Sequence, residues 1–160
     1  MTIKPGDRLP AAEFSTMTAE GQQKLSTDIV FSGRKVVLFA VPGAFTPTCS
    51  MNHMPGFLTR LDQIKARGVD TIACTSVNDV HVMTAWAKVS GAEGKIMMLA
   101  DGNGEFARSL GLNVDRTNSG MGERSQRYSM IVVNGVVQTL NVEDKPGVNV
   151  SGADTILNQL

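Results

Sequence analysis

One cysteine in this chain is placed to react. The run Val36-Val37-Leu38-Phe39-Ala40-Val41 has strand length, β-branched residues and no polar break, so it reads as a buried central strand. Pro42-Gly43 and Pro47 forbid its continuation and force a turn. Beyond Pro47, the apolar positions Met51, Met54, Phe57, Leu58, Leu61 and Ile64 recur at helical spacing. Cys49 therefore falls where a strand has turned and a helix begins. The N–H groups of a first helical turn lack intrahelical partners, and the helix dipole is positive there. Both favour a thiolate over a thiol.

The neighbours of Cys49 narrow the chemistry. Thr46-Pro47-Thr48-Cys49 sets a hydroxyl three residues ahead of the sulfur, and Asn52 rather than a second cysteine stands three residues behind it. A thiol–disulfide oxidoreductase of the C-x-x-C type is disfavoured for that reason. A lone thiolate beside a hydroxyl suits attack on an O–O bond, which converts the sulfur to a sulfenic acid. That transition state needs donors along both oxygens and a shield from water. Thr46, the first-turn N–H groups and one arginine are the candidate donors; Pro42 and Phe45 are the candidate shield.

The remaining chemistry-bearing residues have plainer readings. Cys74 lies inside the apolar strand Ile72-Ala73-Cys74 and is expected to pack as a small hydrophobe. His53 is one helical turn beyond Cys49, on the same face, open to a role as base or ligand but read as structural or surface. His81 belongs to a helix start. Cys49, His53, Cys74 and His81 would complete a Cys₂His₂ zinc set, but the two cysteines are too far apart for a short knuckle, so no metal is expected. Arg124 and Arg127 follow a long polar stretch. The nine methionines read as core filling, with Met51, Met54 and Met121 open to lining an apolar pocket or a protein–protein face. A non-catalytic holdase role is a further alternative, one that would leave peroxide turnover absent.

These residues must be held by an alternating α/β chain. Glu13–Thr18 reads as a short strand entering a hairpin at Gly21, and Asp28–Phe31 as another short strand. The helix bearing Cys49 is expected from about Thr48 to Ala66, kinked at Pro55 and stopped at Arg67-Gly68. Val69–Val77 is the next strand, and Asp79–Ser90 a helix with Val82, Met83, Trp86 and Val89 on its apolar face. Lys95–Ala100 is a strand, and Glu105–Leu110 a short helix stopped by Gly111. Residues 112–127 read as a polar loop. Tyr128–Val133 and Val136–Leu140, joined by Asn134-Gly135, read as a hairpin. Ser151 is expected to cap a closing helix that ends at Leu160. The result is a thioredoxin-like α/β fold: a central mixed β-sheet flanked by helices, parallel at first and antiparallel at one edge.

Size and charge exclude several classes. At 160 residues the chain is expected to form a single domain, residues 1–160. Fifteen basic residues balance fifteen acidic ones, which argues against a nucleic-acid or membrane-surface partner. No apolar run has the length of a membrane span, and Met1–Asp7 shows neither an apolar nor an Arg-rich pattern, so no signal or transit peptide is expected. Two cysteines do not form a secreted disulfide framework, so a reducing cytoplasm is expected.

The segment Pro42-Gly43-Ala44-Phe45-Thr46-Pro47-Thr48-Cys49 resembles the P-x-x-x-T-x-x-C signature of peroxiredoxins. With His53-Met54-Pro55-Gly56-Phe57, Ser76-Val77-Asn78-Asp79, Leu99-Ala100-Asp101 and Arg127-Tyr128-Ser129-Met130, it resembles the peroxiredoxin-5 (type II, atypical) subfamily over nearly the whole chain. The resemblance implies that Cys49 is the peroxidatic cysteine, that Thr46 bonds the peroxide, that Pro42 shields the site and that Arg127 is the active-site arginine. It further implies reduction of hydrogen peroxide and alkyl hydroperoxides without metal, flavin or other cofactor, and a homodimer. One departure concerns recycling. Some members carry a resolving cysteine before the last helix, where this chain has Val150. Cys74 is then the one remaining candidate resolving residue in the chain, and an external thiol, glutathione, glutaredoxin or thioredoxin, is the expected reductant.

Overall fold

The computed structural model describes residues 2–160. In chain order, β1 (Glu13–Thr18), β2 (Gly21–Ser26), α1 (Thr27–Phe31) and β3 (Lys35–Ala40) lead to a π-helical turn, Cys49–His53. Then come α2 (Met54–Thr59), α3 (Leu61–Ala66), β4 (Thr71–Ser76), α4 (Val80–Ser90), β5 (Met97–Ala100) and α5 (Glu105–Leu110). A small ribbon, β6 (Asn113–Asp115) with β7 (Glu123–Ser125), precedes β8 (Tyr128–Val133), β9 (Val136–Val142) and α6 (Ala153–Gln159).

The seven-stranded sheet has the order β2-β1-β5-β4-β3-β8-β9. Strands β3, β4 and β5 are mutually parallel; β8 joins β3, and β1 joins β5, antiparallel. Both flanks of the parallel centre are therefore antiparallel, where one edge was expected. The uninterrupted apolar character of β3 has a direct cause. Val37 and Phe39 point into one core cluster with Ile64, Met83, Trp86 and Ile156, while Val36, Leu38 and Ala40 point into the other with Val30, Phe106 and Leu110. A strand covered on both faces has no position left for a polar residue. The first cluster packs α2, α3, α4 and α6 on one face; the second packs α1 and α5 on the other.

Several local readings need correction. Asp28–Phe31 is helical, because the Ser26 hydroxyl accepts from the Ile29 N–H and caps a single turn. Residues 112–127 contain the β6–β7 ribbon, whose strands are three residues each. Val89 is 77% exposed, so the buried stripe of α4 is Val80, Met83, Trp86 and Ala87. Ser151 is not the cap of α6; Gly152 occupies that position. The Asn134-Gly135 turn holds: both residues have positive φ, 49° and 78°, as a tight hairpin requires. Among the described residues no helix is long and apolar enough to cross a membrane.

Candidate active site

The chain leaves β3 at Ala40 and turns through Pro42–Thr46. Phe45 sits at φ 66°, a left-handed conformation costly for a bulky residue, and its ring is half exposed. A side chain at Gly43 would be crowded: a Cβ there would lie 3.1 Å from Met121 Cε and from Thr46 Cγ2, and 3.3 Å from an Arg124 nitrogen, so these side chains would have to give way. The helix then begins at Pro47 and widens at once into the π turn, with the Met54 N–H donating to the Cys49 carbonyl. Pro55 explains where this happens. It has no N–H for the Met51 carbonyl, and its ring crowds that carbonyl, so the hydrogen-bond register slips just upstream. The expected kink is thus a π turn that holds Cys49 itself.

Cys49 is fully buried, and its sulfur has two donors. Thr46 Oγ1 lies 2.8 Å from Sγ and Arg127 Nη2 lies 3.0 Å from it. The Thr46 hydroxyl also lies 2.7 Å from the Gly43 carbonyl. It has one proton and two candidate acceptors. Facing a thiolate it donates to sulfur; facing a thiol it accepts the S–H and turns its own proton to Gly43. The hydroxyl can therefore follow the ionisation of the sulfur without moving its oxygen. Thr46 and Arg127 also line, with Pro42, Pro47, Met121 and Glu143, a cavity of about 430 Å³ open to solvent. Pro42, Thr46, Cys49 and Arg127 are thus brought together from one loop, one turn and the start of β8.

Arg127 is itself held. Its Nη1 lies 3.0 Å from His53 Nδ1, and His53 Nε2 lies 2.9 Å from the Ser151 carbonyl. A guanidinium only donates, so Nδ1 accepts and the proton resides on Nε2, donated to Ser151. Burial against Phe39 and Phe57, whose rings stack on each other at 4.2 Å, pushes His53 down to about 4. The imidazole is neutral at physiological pH and serves as an acceptor for the arginine. The reading of His53 as structural or surface missed this contact. Its helical offset from Cys49 was the available signal, but the partner lies 74 residues away. On the opposite side of the turn, the indole N–H of Trp86 donates to the Ser50 hydroxyl at 3.1 Å.

Cys74 lies in β4 opposite Phe39, fully buried in the same apolar cluster as Cys49 and with a free thiol. Burial pushes this thiol well up, the nearby Cys49 sulfur adds to the effect, and Arg127 works against it. Arg124 turns toward backbone carbonyls, 2.8 Å from Met121 and 3.3 Å from Val77, rather than toward sulfur. His81 is exposed on α4. Among the described residues no group of three or more His, Cys, Asp or Glu side chains could hold a metal ion.

Residues 4–157 match the Redoxin family model. Peroxiredoxin-2E, chloroplastic, of Arabidopsis thaliana is 43% identical, over 99% of this chain and 70% of that one. This chain belongs to the peroxiredoxins of the redoxin family. Peroxiredoxins are thiol-dependent peroxidases, and the chain is an oxidoreductase of that kind. Among solved structures, reduced Prx3 of Vibrio vulnificus in complex with H₂O₂ is 52% identical, with a TM-score of 0.95 over 99% of both chains. Peroxiredoxin 5 of Alvinella pompejana is 37% identical, with a TM-score of 0.85 over 98% of both chains. The thioredoxin-like arrangement of this peroxiredoxin, a mixed sheet with helices on both faces, is the one expected from its alternating strands and helices.

Proposed function

We propose that this single-domain chain reduces hydrogen peroxide and alkyl hydroperoxides at Cys49. The observation that carries the reading is double donation to one buried sulfur, from Thr46 and Arg127. The Cys49 thiolate attacks the distal oxygen of the peroxide. An S–O bond forms, the O–O bond breaks, and the leaving alkoxide or hydroxide takes a proton to become alcohol or water. The sulfur is oxidised by two electrons to a sulfenic acid, and the peroxide is reduced by the same two. Arg127 and Thr46 stabilise charge moving along the oxygens, and Pro42 limits water at the mouth.

Recycling falls to an external thiol. It displaces water from the sulfenic acid to form a mixed disulfide, and a second thiol releases the Cys49 thiol. Val150 offers no sulfur, and Cys74 lies in a strand paired on both sides. Glutathione with glutaredoxin, or thioredoxin, is the proposed reductant, and Cys74 remains a thiol throughout. The exposed apolar side chains Phe45, Met51 and Val150 support a homodimer; Met51 shares a surface depression with Val148 and Asn149. A reducing compartment such as the cytoplasm suits two free cysteines. Peroxide consumption with glutaredoxin–glutathione and with thioredoxin, run in parallel on wild type and Cys74→Ser, tests the scheme. A Cys49–Cys74 disulfide in wild type, with loss of turnover in Cys74→Ser under both reductants, would refute it.

A further inference from the structure

One half-buried carboxylate that lines the cavity beside the site is heavily bonded. Glu143 follows β9 directly. Its Oε2 accepts from the backbone N–H groups of Asn149, Val150 and Ser151, each at 2.8 Å, and from the Ser151 hydroxyl at 2.7 Å. Its own N–H donates to the Arg127 carbonyl at 3.0 Å. Burial raises its proton affinity, but those four donors outweigh burial and hold the carboxyl below its usual range. Glu143 is therefore an anion at neutral pH.

The bonds form a closed circuit. From the Arg127 carbonyl the path runs to Glu143, from its carboxylate to Ser151, from the Ser151 carbonyl to His53, and from His53 Nδ1 to the Arg127 guanidinium. Both ends of Arg127, backbone and side chain, are thereby fixed by one loop. The other guanidinium nitrogen is left for the Cys49 sulfur. Among the described residues, segment 144–150 makes no hydrogen bond to the rest of the molecule except through Glu143. Without that carboxylate, the bond from His53 to the Ser151 carbonyl is left to hold the turn by itself. Where that bond gives way, the imidazole loses the acceptor that keeps its proton on Nε2 and leaves Nδ1 free for the arginine.

We propose that Glu143 is a positioning residue for the peroxide step, acting through Ser151 and His53 to set the angle at which Arg127 faces the Cys49 sulfur. This rests on the reading of Cys49 as the attacking sulfur and Arg127 as its donor. The competing account makes Glu143 a loop anchor only, with consequences for stability and none for the rate constant of folded molecules.

Single-turnover oxidation of Cys49 by hydrogen peroxide, followed by stopped flow, separates the two in a double-mutant cycle. Glu143→Gln should slow the second-order rate constant about tenfold, a modest misplacement effect, with full amplitude. In an Arg127→Ala background the same substitution should cause no further slowing, because its route to the sulfur is already cut. In parallel, ¹⁵N NMR of the His53 ring should give the Nε2-protonated tautomer in wild type and a mixture in Glu143→Gln. If Glu143→Gln does not fold, Glu143→Asp, which keeps the charge but shortens the reach, replaces it in the same cycle. Equal slowing in both backgrounds overturns the proposal, as does a wild-type rate constant with an unchanged His53 tautomer. Arg127→Ala oxidising at the wild-type rate would sink the underlying donor assignment instead, a distinguishable failure.

Discussion

Cys49 and Cys74 share an apolar cluster, and neither exposes any surface. They differ in what faces the sulfur. Cys49 sits where a helix opens and receives a hydroxyl and a guanidinium. Cys74 sits mid-strand between Phe39 and Met98, where burial disfavours its thiolate. Depth alone therefore says nothing about reactivity. Backbone geometry decides whether donors can reach a buried sulfur, and a strand whose N–H groups are spent on its neighbours supplies none.

The harshest way to break the contrast is to exchange the outcomes. Cys49→Ser should abolish peroxide consumption, while Cys74→Ser should turn over at the wild-type rate; a coupled assay with excess reductant reads both. If Cys74→Ser is dead while still folded, the two sulfurs are not as different as their surroundings indicate. Removing the donors should come next in size. Thr46→Val and Arg127→Ala should each slow sulfenic acid formation by at least about a hundredfold, the scale of a transition-state donor. Either variant reacting at the wild-type rate by stopped flow would take that residue out of the mechanism.

The contrast was already legible where local pattern and tertiary role coincide. The apolar run of β3, the Pro42–Pro47 break and the helical spacing beyond it placed Cys49 at a strand-to-helix junction. Glu105–Leu110 ended at Gly111 because the left-handed cap demanded it. Legibility failed where a partner lies far along the chain. Nothing near His53 announces Arg127, and Ser151, which looks like a helix cap, is claimed by Glu143 instead. It failed also for elements shorter than one period. A five-residue α1 rich in β-branched residues is indistinguishable from a strand until Ser26 is seen to cap it.

A smaller effect sharpens the account of the donor side. His53 is neutral in the folded protein down to about pH 4, whereas an unfolded histidine takes up its proton near 6.5. The unfolded state then binds more protons, so stability should fall as pH drops from about 6.5 to about 4 and level off below. The loss is on the order of 3 kcal/mol. Urea midpoints across this range for wild type and His53→Asn should diverge, wild type losing more. Parallel curves would mean that the ring is not buried neutral. The smallest effect belongs to Cys74. Cys74→Ser should lower stability by about 1 to 2 kcal/mol, since it puts a hydroxyl into a fully buried apolar cluster. Its thermal midpoint should fall with no change in peroxide rate constant, and a fall in both would tie the second sulfur to the first.

Trp86 is the single tryptophan of the chain, buried on α4, and its N–H ends on Ser50, the residue after Cys49. Emission from an indole depends on the polarity and hydrogen bonding at that nitrogen. The protein therefore carries an optical probe wired to its own reactive turn. If the π turn unwinds to admit an external thiol to the buried Cys49, Ser50 should leave the indole N–H and the emission should change. A fluorimeter can then time opening and closing in the unlabelled wild-type protein, with Ser50→Ala as the control that cuts the wire.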